Sequence, residues 1–481
     1  MAYAGPIKNI VVLMFENRSY DNMLGMLYNE TLNKPPFQKA PPGQSNLAGL
    51  SGSESNLDPN TGKPVTVWGT NDDPTNLPVV DPGESFYDMS QQILGLPLLP
   101  ITKNHYPSAP PLTSPTDGYG LTGGYVANFA VQNLYGNPLK NVMHSYLPSL
   151  VPVTSYLAHN FMVCDQWYAS APTQTFANRL FSLCANPGGD HHGSFIDDLQ
   201  YGTSLLSGLN LPSIFDLLEN AHAGKGIVPN WKLYFHDVSY SAILLKKVGD
   251  LFTSTSNENV GNYNRADYPP GSPYVNPLAH PTNTFIEDVQ KKTLAPFTLI
   301  EPRYTNNYPG MAPGLSANSN HPGISNIKPG GPPSATNPSI DVAFGEALLW
   351  EVYTTLRRSE TYWNQTLLIV TYDEHGGLYD HVPPPPATPP GIPNAHNGFA
   401  FNWLGGRVPT IIISPYVAAG SQLVAPKAFD HTSIISTARE VFDLAGPFNA
   451  RDANAPVITL PPNAKPSNNP DQGSEPTINL P

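Results

Sequence analysis

Charge is scarce in this chain. Of its 481 residues only 13% are Asp, Glu, Lys or Arg, about half the usual share. The balance is acidic, with a net charge of −13, and there is no run of Lys and Arg. Without a basic face, a nucleic-acid-binding role is set aside. Cysteine is nearly missing as well. Cys164 and Cys184 are too few for a disulfide scaffold, and their apolar surroundings mark them as buried thiols rather than a bridge. No uninterrupted apolar run approaches the roughly 18 residues of a membrane-spanning helix. The opening Met1-Ala2-Tyr3-Ala4-Gly5 lacks the basic and apolar regions of a signal peptide. That leaves two expectations, a cytoplasmic protein or the mature form of a secreted one.

What the chain does have is apolar residues, 40% of the total, and 55 prolines with 39 glycines. A sizeable core is therefore expected, crossed by long, ordered, proline-punctuated loops. Ile10 to Phe15 is a continuous apolar run of strand length that suits a parallel strand buried on both faces, and it stops abruptly at Glu16-Asn17-Arg18. Periodicity fades from about 30 to 125, a loop-rich excursion, and turns helical over 140–187. Phe297–Ile300, Thr366–Thr371 and Val408–Ser414 read as further strands. Asp341–Arg358 reads as a helix with Ser339 as its N-cap, and Ile434, Ile435, Ala438, Val441 and Phe442 share one face of another. Helices alternating with apolar strands predict an α/β protein with a mainly parallel central sheet. One domain is expected over 1–455, followed by a Pro- and Asn-rich tail over 456–481.

Chemistry gathers at strand ends. Glu16-Asn17 follows the first strand, and Asp373-Glu374-His375 follows the run ending at Thr371. Ligand sites of open α/β sheets lie at the carboxyl ends of the strands. If both strands share a sheet, three carboxylates and an amide converge as hard oxygen ligands suited to Mg²⁺, Ca²⁺ or Mn²⁺. The plainer alternative is that polar residues follow any strand end. Thr175 precedes an apolar helical segment, where a hydroxyl is either a cap or a group poised beside an anion. His321, His381 and His431 each suit a general acid, a phosphate donor or a structural hydrogen-bonder. His191-His192 points weakly to a transition metal, and with no further His or Cys at ligand spacing it is set aside.

These motifs together resemble the phosphoesterase family of bacterial acid phosphatases and phospholipases C, including the plant non-specific phospholipases C, in the alkaline-phosphatase-like superfamily. Ile10 to Gly25 is similar to the family's opening signature. Asp81 to Phe86, Gly124 to Asn128, Leu147 to Arg179, Ile300 to Tyr304, Thr366 to Pro386, Asp430 to Ser433 and Arg451 to Ala453 follow in the family's order. The resemblance implies an alkaline-phosphatase-like fold and a metal-dependent phosphoesterase working through a phospho-threonine. It would act on a phosphate monoester or on the phosphodiester of a phospholipid head group. By that resemblance Glu16, Asn17, Asp373 and Glu374 hold one divalent ion, and Thr175 is the nucleophile. Asn178 holds the phosphoryl group while Arg179 supports the turn. His321 donates to phosphoryl oxygens or to the leaving group, and Asn320 and His381 contact substrate.

The chain departs from the family pattern at three points. Glu84 stands where the loop motif carries His, Asn320 where Asp precedes His, and Ala177 where the turn has Pro. A protonated Glu84 donating to phosphate is the expectation at the first, with His105 as the alternative occupant of that role. Ile324–Asn337 looks like an insertion. A competing reading is a catalytically weak relative that binds a phosphorylated ligand or metal without turnover; a sulfatase-type or phosphonate-type hydrolase is a third.

Overall fold

The computed structural model describes residues 5–29, 39–70, 77–78, 80–95, 121–132, 137–222, 230–251, 258–264, 284–306, 315–323, 341–460, 466, 470, 476–478 and 480. His105, Ser339 and the 324–337 segment lie outside them.

The apolar runs do form one sheet. Its eight strands lie in the order Ser421–Gln422, Met162–Cys164, Thr410–Ile413, Thr366–Tyr372, Asn9–Phe15, Phe297–Glu301, Trp231–Phe235 and Val260–Asn262. The Asn9–Phe15 strand pairs in parallel with Thr366–Tyr372 on one side and with Phe297–Glu301 on the other. Every residue of Asn9–Phe15 and of Thr366–Tyr372 is buried, as a strand covered on both faces requires. Thr410–Ile413 alone runs against its neighbours, antiparallel to both Thr366–Tyr372 and Met162–Cys164. The fold is thus α/β with a mainly parallel sheet, flanked by helices, as the strand–helix alternation predicts.

Around the sheet the expected helices form with shifted ends. The helix predicted from Asp341 spans Val342–Arg357, and its cap is Asp341, whose Oδ1 accepts from Ala343 N–H at 2.8 Å. The 140–187 region contains the helices Pro152–Asn160 and Thr175–Cys184, with the short strands Met162–Cys164 and Trp167–Tyr168 between them. The described residues of the excursion before 125 include short elements. Phe86–Leu94 is a helix with a Ser85–Asp88 capping box at its start and Gly95 in the left-handed region at its end. It packs with Tyr125–Gln132 over a second small core that includes Met89, Ile93, Tyr125, Val126 and Phe129. Beyond 455 the chain stays attached as far as Leu460. Ile458 and Leu460 are buried, and Ile458 N–H donates to Thr437 Oγ1 at 3.0 Å. Among the described residues no helix is long and apolar enough to cross a membrane.

Candidate active site

The parallel register sets Phe15 opposite Tyr372, so Glu16-Asn17 and Asp373-Glu374 leave the sheet side by side. Backbone geometry then locks the two loops together. Asp373 Oδ1 accepts from Asn17 N–H at 3.1 Å and from Glu374 N–H at 2.8 Å. Asn17 sits at φ +55°, a conformation Asn tolerates better than most residues. Gly376, at φ +68°, passes so close that a Cβ there would lie 2.1 Å from Asn17 O. All four proposed ligand residues are buried.

Thr175 is the first residue of its helix. The preceding turn is held by Asn178, whose side chain accepts from Ala171 N–H at 3.0 Å and donates to the carbonyls of Thr173 (2.8 Å), Gln174 (3.1 Å) and Ala171 (3.2 Å). Arg179, one helical turn after Thr175, donates from Nε to Asp373 Oδ2 at 3.0 Å, lies 4.0 Å from Glu16 Oε1, and reaches Phe15 O at 3.3 Å. Its guanidinium sits 5.3 Å and 5.2 Å from the ring centres of Tyr240 and Tyr304. Asn178 spends its amide on the turn, and Arg179 faces the carboxylates. Asp198, which the sequence reading overlooked, accepts from Phe176 N–H at 3.0 Å and so bears on the same helix start.

The charges here are poorly compensated. Burial pushes Glu16 up to about 7, against the pull of His321 and Arg179, with Asp373 adding to the rise. Burial and then Asp373 hold Glu374 well above the usual carboxylate range. Asp198 is pushed up to about 8 by burial, with Asp373, Asp197 and Glu16 reinforcing it. Both oxygens of Asp373 already accept hydrogen bonds. Glu16 Oε1 and Oε2, Asn17 Oδ1 and Glu374 Oε1, by contrast, are buried oxygens without a hydrogen-bond donor. Buried acceptors of this kind are costly to leave unsatisfied. Oxygen-only donors in a site with surplus negative charge fit a hard divalent cation.

Glu84 and His321 adjoin this set. Glu84 Oε1 accepts from Asn17 Nδ2 at 2.7 Å. Desolvation, then Asp81 and Glu374, hold its carboxyl well above the usual range. Asp81, Glu84 and His321 bring their ligand atoms within 4.8 Å of one another, as do Asp21, Asp380 and His381; among the described residues these are the His/carboxylate groups of that tightness. His321 Nδ1 lies 2.7 Å from Pro322 O, which can only accept, so Nδ1 carries the hydrogen and Nε2 is left for other work.

Two expected substrate contacts have other engagements. Asn320 donates to the Tyr372 hydroxyl at 2.8 Å, and its Oδ1 would lie 1.9 Å from a Cβ at Gly345 in the Val342–Arg357 helix. Its side chain thus joins that helix to the sheet. His381 belongs to a buried ion network. Its Nδ1 is 2.7 Å from Asp21 Oδ2, while Arg407 pairs with Asp21 and Asp380 at 2.9 and 2.8 Å. His431 supports the site from behind, with Nε2 2.6 Å from Asp373 O and Nδ1 accepting from Trp167 Nε1 at 3.2 Å.

His375, named in the sequence only as the neighbour of Glu374, was given no role there. It is wholly buried, pushed down to about 3 by burial, and 3.1 Å from Gln92 Oε1. Asp198 stands in no spacing that separates it from ordinary loop residues, and only the fold brings it here.

Comparison with known proteins identifies a family for the chain. The model of the Phosphoesterase family matches residues 7–445. Non-specific phospholipase C6 of Arabidopsis thaliana is 32% identical over 467 residues, covering 94% of this chain and 71% of its own. Non-specific phospholipase C4 of the same plant is 30% identical over 459 residues, with 93% and 70% covered. Phospholipase C A of Mycobacterium tuberculosis is 29% identical over 459 residues, with 92% and 74% covered. Among solved structures, a protein of the alkaline phosphatase superfamily from Vibrio parahaemolyticus aligns at TM-score 0.33 and 14% identity, over 64% of this chain and 65% of that one. A likeness that distant transfers nothing to the site.

Proposed function

The chain belongs to the Phosphoesterase family of phosphoric ester hydrolases, and we propose that it cleaves phospholipid phosphodiesters in preference to phosphate monoesters, with Thr175 as nucleophile. The names of its relatives support the choice of substrate. The observation that carries the mechanism is the set of buried, donorless oxygens on Glu16, Asn17 and Glu374, tied through Asp373 and Arg179 to the helix that Thr175 begins.

Glu16, Asn17, Asp373 and Glu374 would hold one divalent cation of the Ca²⁺, Mg²⁺ or Mn²⁺ type. When bound, such an ion offsets the charge of the phosphoryl oxygens and eases ionisation of a neighbouring hydroxyl. Asn178 keeps the turn that presents Thr175, and the start of the ten-residue helix favours an anion. Thr175 Oγ1 attacks phosphorus and releases its proton to solvent. The bond to the glycerol oxygen breaks, and that oxygen takes a proton from His321 Nε2. The phospho-threonine still carries the head group. Water then attacks the phosphorus, gives a proton back to His321, and frees the phosphorylated head group and Thr175, whose Oγ1 takes up a proton from solvent. Glu84, fixed by Asn17 and held protonated, donates to a phosphoryl oxygen.

The test is hydrolysis of p-nitrophenyl phosphate, p-nitrophenyl phosphorylcholine and a short-chain phosphatidylcholine between about pH 4.5 and 8.5, with and without chelator. We expect the lipid to be preferred, chelator to abolish turnover, and Thr175→Ala to lose on the order of 10³-fold or more. Full activity in a folded Thr175→Ala protein would refute the mechanism. Preference for the simple monoester would refute the substrate assignment alone.

A further inference from the structure

His191 and His192 lack a third ligand nearby in sequence, but the fold supplies one. His396, 206 positions after Asp190, places Nε2 2.9 Å from Asp190 Oδ1. The two segments are pinned by their backbones. Ser194 N–H donates to Asn394 O at 2.9 Å, and His396 N–H donates to Ser194 O at 3.0 Å. Ser194 Oγ donates to Pro393 O at 2.6 Å. The approach needs a glycine. Gly193 has φ +139°, and a Cβ on it would lie 2.5 Å from Asn394 O.

The imidazoles are grouped as well. The rings of His191 and His192 are centred 3.9 Å apart, and those of His192 and His396 are centred 6.0 Å apart. Two imidazoles on one tetrahedral Zn²⁺, with Zn–N of about 2.0–2.1 Å, have centres roughly 5 Å apart. The two observed spacings bracket that value. Their ligand atoms do not yet converge within 4.8 Å of one another, but all four side chains are at the surface, so rotation about their own side-chain bonds can bring them together. The Asp190 carboxylate accepts from His396 Nε2, which leaves Nδ1 as the lone-pair nitrogen. A metal-binding histidine is commonly oriented by a carboxylate in just this way. Asp190 Oδ1 also accepts from His192 N–H at 2.8 Å, fixing the turn between them.

We propose that His191, His192 and His396, with Asp190 orienting the last, form a surface site for a borderline transition metal of the Zn²⁺ type, distinct from the oxygen-ligand site at Glu16 and Glu374. Imidazole ligands select such metals over Ca²⁺ or Mg²⁺. Occupancy would fasten the Gly189–Ser194 hairpin to the 393–396 segment. Asp197 and Asp198, just beyond that hairpin, accept from Phe86 N–H at 2.7 Å and Phe176 N–H at 3.0 Å beside the helix start.

The experiment is a Co²⁺ titration of the full chain with saturating Mg²⁺ present, read as visible absorption, followed by displacement with Zn²⁺. Tetrahedral imidazole ligation absorbs far more strongly than six-coordinate oxygen ligation. We expect strong absorption that Zn²⁺ removes, with apparent affinity at least about tenfold weaker in His396→Ala and in His192→Ala and unchanged in Glu374→Gln. Thermal melting of each variant confirms folding, and either histidine variant suffices if the other is unstable. Weak absorption in the wild type, wild-type affinity in the folded histidine variants, or loss confined to Glu374→Gln would each overturn the proposal.

Discussion

Arg179 Nε lies 3.0 Å from Asp373 Oδ2, and this contact couples the helix begun by Thr175 to the loop that follows the Thr366–Tyr372 strand. The pair is buried, so deleting one partner strands the other. Arg179→Ala should lose about 3–5 kcal/mol of stability, measured as the urea midpoint without divalent metal. Added Mn²⁺ should restore more stability to this variant than to the wild type. Equal responses to Mn²⁺ would place the metal elsewhere.

Asn178 fills its amide with turn carbonyls and one N–H. Asn178→Leu should therefore destabilise the protein by about 1–3 kcal/mol and lower kcat with it. A rise in KM alone, at unchanged thermal midpoint, would instead give Asn178 a direct contact with phosphate.

A protonated Glu84 is imitated by glutamine, which also keeps the acceptor for Asn17 Nδ2. Glu84→Gln should retain activity within a few-fold, whereas Glu84→Ala should lose about 10²-fold or more. Comparable losses in both variants would require the ionised carboxylate.

His381 offers a pH dependence of known sign. Burial alone would lower its pKa, but the hydrogen bond and charge of Asp21 outweigh burial and raise it. A histidine with a raised folded-state pKa adds stability in full below its unfolded value, and that stability is lost as pH rises through the folded value. The stability difference between wild type and His381→Gln should therefore be larger at pH 5.5 than at pH 8.5 by chemical denaturation (about one pH unit below and two above an unperturbed histidine). A difference that grows with pH would reverse the assignment.

Cys164 and Cys184 are free, buried, and pushed up by burial. Thiol reagents should modify neither in the native protein and both in denaturant. Rapid native modification would show local opening around the Met162–Cys164 strand or the Thr175–Cys184 helix.

Long apolar runs were readable in the sequence because a strand buried on both faces has no polar positions to conceal it. Ile10–Phe15 and Thr366–Thr371 fall within observed strands for that reason. The antiparallel direction of Thr410–Ile413 was not readable, since an apolar run looks alike in either direction. The ordered excursion around Phe86–Leu94 was missed because its stability comes from contacts outside its own periodicity. Asn128 donates to Asp88 Oδ1 at 2.9 Å and Gln91 Oε1 at 2.8 Å across two helices. At the site, residues adjoining strand ends were legible and their partners were not. Asn320 was placed by its neighbour His321, yet its left-handed backbone, φ +71°, turns its amide to Tyr372 and Gly345. No local pattern announces such a turn.

The first strand of the chain is also a central one, bordered by Phe297–Glu301 and Thr366–Tyr372. During synthesis, Ile10–Phe15 must therefore wait, wholly apolar, for Phe297–Glu301 as its first sheet partner, and its second border stays open until residues beyond 372 have left the ribosome. Contacts this distant in sequence close slowly, and an unpaired apolar strand is a hazard while it waits. The candidate site has no early, partly built form. Asn17 finds Asp373 only when most of the chain exists, so a truncated product would leave one border of a central apolar strand open.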